Sequence, residues 1–380
     1  MKIGLLGHGV VGGGVTAVID AGASESVRNL EVTNILVKDQ SEVTDGRMST
    51  NADDVLNADI DVVAECMGGL EPAHSFVKRA LEAGHSAVTS NKKMLANYFE
   101  ELMETAEKNH AVLLYEATAG GGIPWMANLR QIRRIDRILS FRGIFNGTTN
   151  YILYHMDLED RDFDEMLKEA QDLGYAERDP SDDIDGFDVR YKVQISCASA
   201  FDQIVSPDDI PAFGIRFISA KDIAWAKSRG RTAKLIGRAA MNEKGLQAYV
   251  MPVFLNNSDY LSRIPSNLNG IESVSVTLGP AGFIGQGAGS LPTAHAVVQD
   301  LISISEGIEE HRHFEKSAVA NGEVNGVYYI RTACPEAFTD ITDEVICEGT
   351  LITRKTGLNA VLEKIAQCGD EKLFIAEVAE

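Results

Sequence analysis

Three observations predict an α/β protein built on a Rossmann-type, doubly wound parallel sheet. A glycine motif, Gly7-x-Gly9-x-x-Gly12, follows an apolar run; short apolar strands then alternate with helical stretches as far as Tyr115; and the organisation changes beyond residue 130. That change predicts a second, α+β domain. With 380 residues, 44% hydrophobic and 24% charged, the chain has the composition of a globular protein long enough for two or three cores.

The first element is a strand through Ile3, Leu5 and Leu6, and Val10, Val11, Val15, Val18 and Ile19 continue as a mostly buried helix. Between them Gly7 permits a tight turn, Gly9 lets the backbone approach a pyrophosphate, and Gly12 lets the helix sit close to the strand. The first amides of the helix, at Val10 and Val11, then face the negative charge. In a chain with 34 glycines the spacing alone is weak, and the strand-turn-helix setting is what makes it specific. His8 is expected to point to solvent.

Next come strands over Leu30–Lys38 and Ala58–Glu65, a helix from Ala73 to Ala83, a strand over Ser86–Thr89, a helix from Tyr98 to Asn109 and a strand over Val112–Tyr115. The second strand ends in Val37-Lys38-Asp39, which offers both a cation for a 2′-phosphate and a carboxylate for a 2′-hydroxyl, so NAD and NADP both stay open. Asn91-Lys92-Lys93 follows a strand, at the carboxyl edge of a parallel sheet where ligands collect. That placement favours a functional Lys92 over a merely solvated helix start, with Lys93 on the surface.

The net charge of -21 opposes nonspecific binding to nucleic acid or anionic lipid, which depends on clustered Lys and Arg. Five cysteines without CxxC spacing indicate neither a zinc ribbon nor a disulfide framework. No apolar run reaches membrane-spanning length, and the first residues are already strand and phosphate loop, so a cytoplasmic protein is expected.

Further along, Arg137–Phe145 reads as a strand ending in Asn146-Gly-Thr-Thr-Asn150, and Phe163, Met166, Leu167, Ala170 and Leu173 mark a helix stopped by Gly174. An acidic segment follows. Glu177, Asp179, Asp182, Asp183, Asp185 and Asp188 lie between Tyr175 and Lys192, and Pro180 and Gly186 make it a loop leading into a helix from Phe187. The spacing is not that of an EF-hand. Asp188 and Lys192, four apart, share a helix face, where on spacing alone a surface ion pair would stabilise by about 0.3–0.5 kcal/mol.

Six segments, in order, resemble the homoserine dehydrogenases: Glu65 to Pro72, Ser90-Asn91-Lys92, Tyr115 to Pro124, Phe145 to Ile152, the acidic stretch from Tyr175 to Lys192, and Gly287-Ala-Gly289 before Pro292-Thr-Ala294. The resemblance implies nicotinamide-dependent interconversion of L-homoserine and L-aspartate 4-semialdehyde, a reaction of threonine and methionine biosynthesis. It implies Lys192 as the proton-transfer lysine and Lys92 as a second active-site lysine. It further implies Asp188 as the group orienting Lys192 and substrate, Glu177 as the partner of the substrate ammonium, and Asp183 as another substrate-binding acid. A lysine suits the proton transfer, because an ammonium both donates a proton and balances alkoxide charge. The cofactor would lie on Gly7, Gly9, Val10, Val11, Gly12, Lys38, Met67, Gly68, Lys92 and Gly289. Backbone carbonyls of Glu116, Ala119, Gly121 and Ile123 would hold a monovalent cation, commonly sodium, for which hard oxygen ligands are appropriate. A homodimer is implied as well.

The implied domains are a dinucleotide-binding domain over 1-130, completed by a helix near 287-306, a substrate-binding, catalytic and dimerisation domain over 131-312, and a short degenerate ACT-like segment over 322-380. Two departures stand out. Ile284-Gly-Gln-Gly-Ala-Gly289 replaces a family pattern that often begins with lysine, and the tail lacks the usual glycine-containing turn and helix between its Gly326–Arg331 and Leu358–Ala366 parts, so feedback control by an amino acid is not expected. Two other readings compete. A catalytically silent nucleotide-sensing protein would have little reason to keep Lys92, Glu177, Asp188 and Lys192 together. An acyl-forming semialdehyde dehydrogenase would need a cysteine in a basic setting, whereas Cys66 and Cys197 sit in apolar stretches.

Overall fold

The computed structural model describes residues 1–308 and 312–379. Residues 309–311 and 380, which fall within the predicted ranges 131-312 and 322-380, lie outside the described residues. The chain forms two compact units, one from Met1–Arg134, Gln194–Ile204 and Gly285–Lys316, the other from Ile135–Val193, Val205–Ile284 and Ser317–Glu380.

The first unit is a six-stranded parallel sheet in the order Met48–Ser49, Glu31–Leu36, Lys2–Leu6, Val62–Glu65, Ser86–Thr89, Leu113–Leu114. Strand order therefore reverses beside Lys2–Leu6, the switch point at which doubly wound sheets bind nucleotides. The helix Val10–Ala21 packs its Val15 and Ile19 into a core with Ile3, Leu5, Ala294, Val297 and Leu301, the last three from the helix Ser290–Ser305. Close approach of these two helices needs a residue without a side chain at position 14, since a Cβ there would lie 2.9 Å from the Ser290 carbonyl oxygen.

Two elements differ from expectation. The predicted strand Ala58–Glu65 is shortened to Val62–Glu65, because Ala58 to Ile60 turn, and Asp61 spends its carboxylate on the Lys2 amide at 2.7 Å. The predicted helix Tyr98–Asn109 is the second part of a longer one, Lys92–Lys108, that bends at Tyr98. Its true start is set by Asn91, whose side chain accepts from the Met94 amide at 3.1 Å, a cap that the following lysine pair disguised as a solvated turn.

The second unit is a mixed sheet running Gly279–Gln286, Leu268–Ser275, Ile138–Ile144, Arg231–Asn242, Gly245–Asn256, Phe374–Val378, Asn325–Arg331, Thr350–Thr353, Thr342–Cys347. Its longest pair, Arg231–Asn242 with Gly245–Asn256, is an antiparallel hairpin in unbroken register across a two-residue turn. No strand was predicted there. Its second strand is buried almost throughout, so it lacks the alternation of polar and apolar residues that marks a half-exposed strand. The tail joins this sheet: Phe374–Val378 pairs with both Gly245–Asn256 and Asn325–Arg331, and Tyr328, Ile330, Leu358 and Ile375 share a core with Ile144, Ile236 and Met251. Between Asn325–Arg331 and the helix Leu358–Cys368, where the sequence lacks the family's turn and helix, the chain makes one helical turn, Pro335–Phe338, and the hairpin Thr342–Cys347 with Thr350–Thr353. Among the described residues no helix is long and apolar enough to cross a membrane.

Candidate active site

In the first unit the glycine turn divides into three distinct requirements. Gly7 has φ +93°, a conformation that costs little only for glycine. At Gly12 a Cβ would lie 2.0 Å from the Gly7 carbonyl oxygen, so any side chain forces helix and turn apart. Gly9 is different, since a Cβ there would meet nothing within 4 Å. Packing within the protein therefore does not require a glycine at position 9. The helix that follows has no side-chain cap and no acid in its first turn, which leaves the amides of Val10 and Val11 for an anion. Gly289, at φ +118°, precedes the helix Ser290–Ser305, and the Ser290 hydroxyl donates to the Val10 carbonyl at 2.6 Å, bringing Gly289 to the same turn. Lys38 is exposed just beyond the end of the second strand.

The neighbouring strand ends are organised by Glu65, fully buried at the end of Val62–Glu65. Its carboxylate accepts from the Met67 amide at 2.8 Å, the Gly68 amide at 3.2 Å and the Thr89 hydroxyl at 2.5 Å. Burial raises its pKa above the ordinary carboxylate value, and those donors pull in the opposite direction. Thr89 also accepts from the Asn91 amide at 3.0 Å, while Asn91 Nδ2 donates to the Gly69 carbonyl at 2.7 Å. One hydrogen-bonded cluster thus fixes Met67, Gly68 and the start of the helix at Lys92. Sequence reasoning assigned no role to Glu65, Thr89 or Asn91; the available signal was an acid closing an otherwise apolar strand. Lys92 itself sits in the first turn of a helix, where the positive end of the backbone dipole repels a cation. Its position is electrostatically uphill for the helix and suited to an anionic ligand.

His8 is half-buried, with its ring 3.1 Å from the Thr16 hydroxyl, instead of pointing to solvent. Gly120 and Gly121 take φ +87° and +59°, and a Cβ on Gly121 would lie 2.3 Å from Gly287. The Glu116 carboxylate accepts from the Met126 and Ala127 amides at 2.9 and 2.6 Å, and its backbone carbonyl accepts from the Ala119 amide at 3.5 Å. Among the described residues no group of three or more His, Cys, Asp or Glu could hold a metal. Burial pushes the thiols of Cys66 and Cys197 well above their usual range, the opposite of an activated nucleophile.

In the second unit, the predicted acidic loop contains the short helix Ser181–Ile184 and leads into the helix Phe187–Phe201. Lys192 is 7% and Asp188 4% exposed, so the pair is buried and not the surface ion pair that spacing alone suggests. Lys192 Nζ donates to Asp188 Oδ2 at 2.7 Å and to the Phe145 carbonyl at 2.6 Å. Next along the chain, Asn146 Nδ2 donates to Asp183 Oδ1 at 2.6 Å and to Asp188 Oδ2 at 2.9 Å. Strand Ile138–Ile144 delivers this Phe145-Asn146 pair, and Asn146 caps the helix Gly147–Glu159. In the first turn of that helix Thr148 donates to the Tyr175 carbonyl at 2.6 Å, which ties down the segment carrying Glu177, itself exposed. On the far side of the loop, Asp185 pairs with Arg216 at 2.6 Å, and Gly214 packs so closely that a Cβ would lie 2.0 Å from the Ile184 carbonyl oxygen. Gly214 carried no sequence signal, because its partner is 30 residues away in the chain.

The structure therefore brings together Lys192, Asp188 and Asp183 in one unit, and the glycine turn with Gly289, and Lys92 with Met67 and Gly68, in the other. These features agree with two family models, one described as homoserine dehydrogenase, matching residues 124–302, and one as the homoserine dehydrogenase NAD binding domain, matching residues 7–116. A homoserine dehydrogenase of Synechocystis is 40% identical over 316 residues, 80% of this chain and 73% of the relative. The crystal structure of a homoserine dehydrogenase from Thiobacillus denitrificans superimposes with a TM-score of 0.88 at 30% identity, covering 100% of this chain and 98% of that one. That of the S. aureus enzyme at pH 8.5 gives 0.78 at 28% identity, with coverage of 100% and 98%.

Proposed function

Since the chain belongs to the homoserine dehydrogenase family, oxidoreductases that interconvert L-homoserine and L-aspartate 4-semialdehyde, we propose that Lys192 is its proton-transfer group and that Asp188 and the Phe145 carbonyl hold it in place. The observation that carries this reading is the buried Lys192–Asp188 pair, joined within hydrogen-bond distance to both a carbonyl and a bridging amide. Burial of an ion pair costs free energy that hydrophobic residues of similar size would not, and a functional demand accounts for keeping it.

A bound nicotinamide cofactor supplies the hydride or takes it up at its ring. In the direction of semialdehyde reduction the Lys192 ammonium gives a proton to the aldehyde oxygen, so that an N–H bond breaks as the O–H bond forms. In the reverse direction Lys192 accepts that proton from the hydroxyl of homoserine. Asp188 balances the ammonium whenever it is charged. Glu177 takes the substrate ammonium, and Asp183 adds negative charge to the same amino-acid pocket. Lys92 serves substrate and nicotinamide from the first turn of its helix. Gly7, Gly9, Val10, Val11, Gly12, Met67, Gly68 and Gly289 hold the cofactor, with Lys38 at its ribose end.

The backbone carbonyls of Glu116, Ala119, Gly121 and Ile123 are proposed for a monovalent cation; the left-handed glycines of this turn and the withdrawn Glu116 carboxylate support that fit. A cytoplasmic homodimer, and an ACT-like but effector-independent character for the segment 322-380, complete the proposal.

The test of the substrate pocket is a split between kinetic constants. Glu177→Ala raises KM for L-homoserine by about tenfold or more, the effect of losing a charge-assisted contact made equally in ground and transition states, with kcat and the cofactor KM little changed. Asp188→Ala lowers kcat instead. A selective loss of cofactor affinity in either variant would place the acidic loop at a different site.

A further inference from the structure

We infer that Asn146 is a positioning residue for the reaction: its side-chain amide, donating both protons to carboxylates, keeps Asp183 and Asp188 ionised side by side and so sets the charge that Lys192 works against. The inference rests on the reading of Lys192 as the proton-transfer group.

The orientation of the amide is fixed by the protein. Asn146 Oδ1 accepts from the Thr149 amide at 2.8 Å as the cap of the helix Gly147–Glu159, which leaves Nδ2 turned toward the acids. Two carboxylates on one nitrogen lie close to each other, and repulsion between them would push a proton onto one. A neutral group with two donors opposes this without adding charge. Among side chains this short, only asparagine can cap a helix through an oxygen while presenting two protons to two acids.

Other charges face the same turn. Lys192 shares Asp188 Oδ2 with Asn146, and one turn further along the helix Asn150 Oδ1 accepts from the buried Lys234 at 2.7 Å, a lysine that burial brings down to about 7. Lys234 thus reaches the turn through Asn150, whereas Asn146 contacts the acids themselves.

Two variants separate this role from the cap. Asn146→Ser and Asn146→Asp both retain a good helix cap, yet neither can donate to two carboxylates, and the aspartate adds a third negative charge. Loss of the bridge makes the acids harder to ionise and the lysine harder to deprotonate, and both effects have the same sign. The acid limb of the kcat profile for homoserine oxidation therefore moves to higher pH, by about one unit in Asn146→Ser and further in Asn146→Asp, as expected for removing one charge-assisted hydrogen bond. At the wild-type pH optimum kcat falls about tenfold, while KM for the cofactor stays unchanged.

A wild-type pH profile and kcat in Asn146→Ser, with its melting temperature preserved, overturns the inference. Should that variant fail to fold, the same criterion passes to Asn146→Asp. Lys192→Ala is measured alongside. Wild-type turnover in that variant would sink the reading of the site itself, whereas a large loss there beside an unaltered Asn146→Ser would sink the bridging role alone.

Discussion

Lys192→Ala lowers kcat for L-homoserine oxidation by about a hundredfold or more, the range for loss of a positioned proton-transfer group. Part of any loss in this variant will be structural. Removing the ammonium leaves Asp188, only 4% exposed, without the lysine that balances its charge, and breaking a buried pair in this way costs about 3–5 kcal/mol of stability. Lys192→Arg distinguishes the two contributions. A guanidinium still balances Asp188 but is not deprotonated in proteins, so the fold is retained and the rate is not recovered. Steady-state kinetics together with thermal melts of both variants read the two effects separately. A wild-type rate in Lys192→Arg would show that no proton moves through this position.

The second large effect belongs to the glycine turn, where two superficially similar substitutions are expected to diverge. Gly12→Ala places a Cβ 2.0 Å from the Gly7 carbonyl oxygen, a backbone atom that cannot swing aside, and costs about 1–3 kcal/mol or more in stability as overpacking does. Cofactor affinity falls with it, because the turn is displaced. Gly9→Ala adds a methyl group to open space and leaves the melting temperature of the apoprotein unchanged, yet it obstructs the approach of a pyrophosphate to the backbone and raises the cofactor KM. Cofactor titration and melting curves for the pair check this. Equal affinity for cofactor in Gly9→Ala and wild type would mean that the pyrophosphate does not lie over this turn.

What the sequence made legible follows from how local each signal is. The glycine turn, the strand-helix alternation and the acid-rich loop are encoded within short stretches, and the order of six family-like segments points to the chemistry. The hairpin Arg231–Asn242 with Gly245–Asn256 was not legible, because burial on both faces erases the two-residue period that would reveal it. The Lys192–Asp188 pair looked like a surface ion pair for a related reason: helical spacing gives the shared face but not its burial. Beyond their local contacts, Glu65 and Asn146 reach partners 24 and 37 to 42 residues distant, and Gly214 packs on a backbone 30 residues away, contacts that only the fold creates.

The tail shows the same limit from the other side. Its strands Asn325–Arg331 and Phe374–Val378 and its helix were visible as patterns, but their membership of one sheet with Gly245–Asn256 was not. Because Tyr328, Ile330, Leu358 and Ile375 complete a core with Ile144, Ile236 and Met251, functional tests of this protein belong to the full chain.

Oxidation of L-homoserine by this chain through Lys192 with a nicotinamide cofactor is tested most directly by incubating the purified 380-residue chain with L-homoserine and either NAD or NADP and following reduced nicotinamide by its absorbance. Saturable, homoserine-dependent formation of the reduced cofactor is expected with at least one of the two. No reduction with either cofactor, by folded protein at substrate concentrations up to tens of millimolar, well above the roughly 1 μM–1 mM range of ordinary KM values, would contradict it.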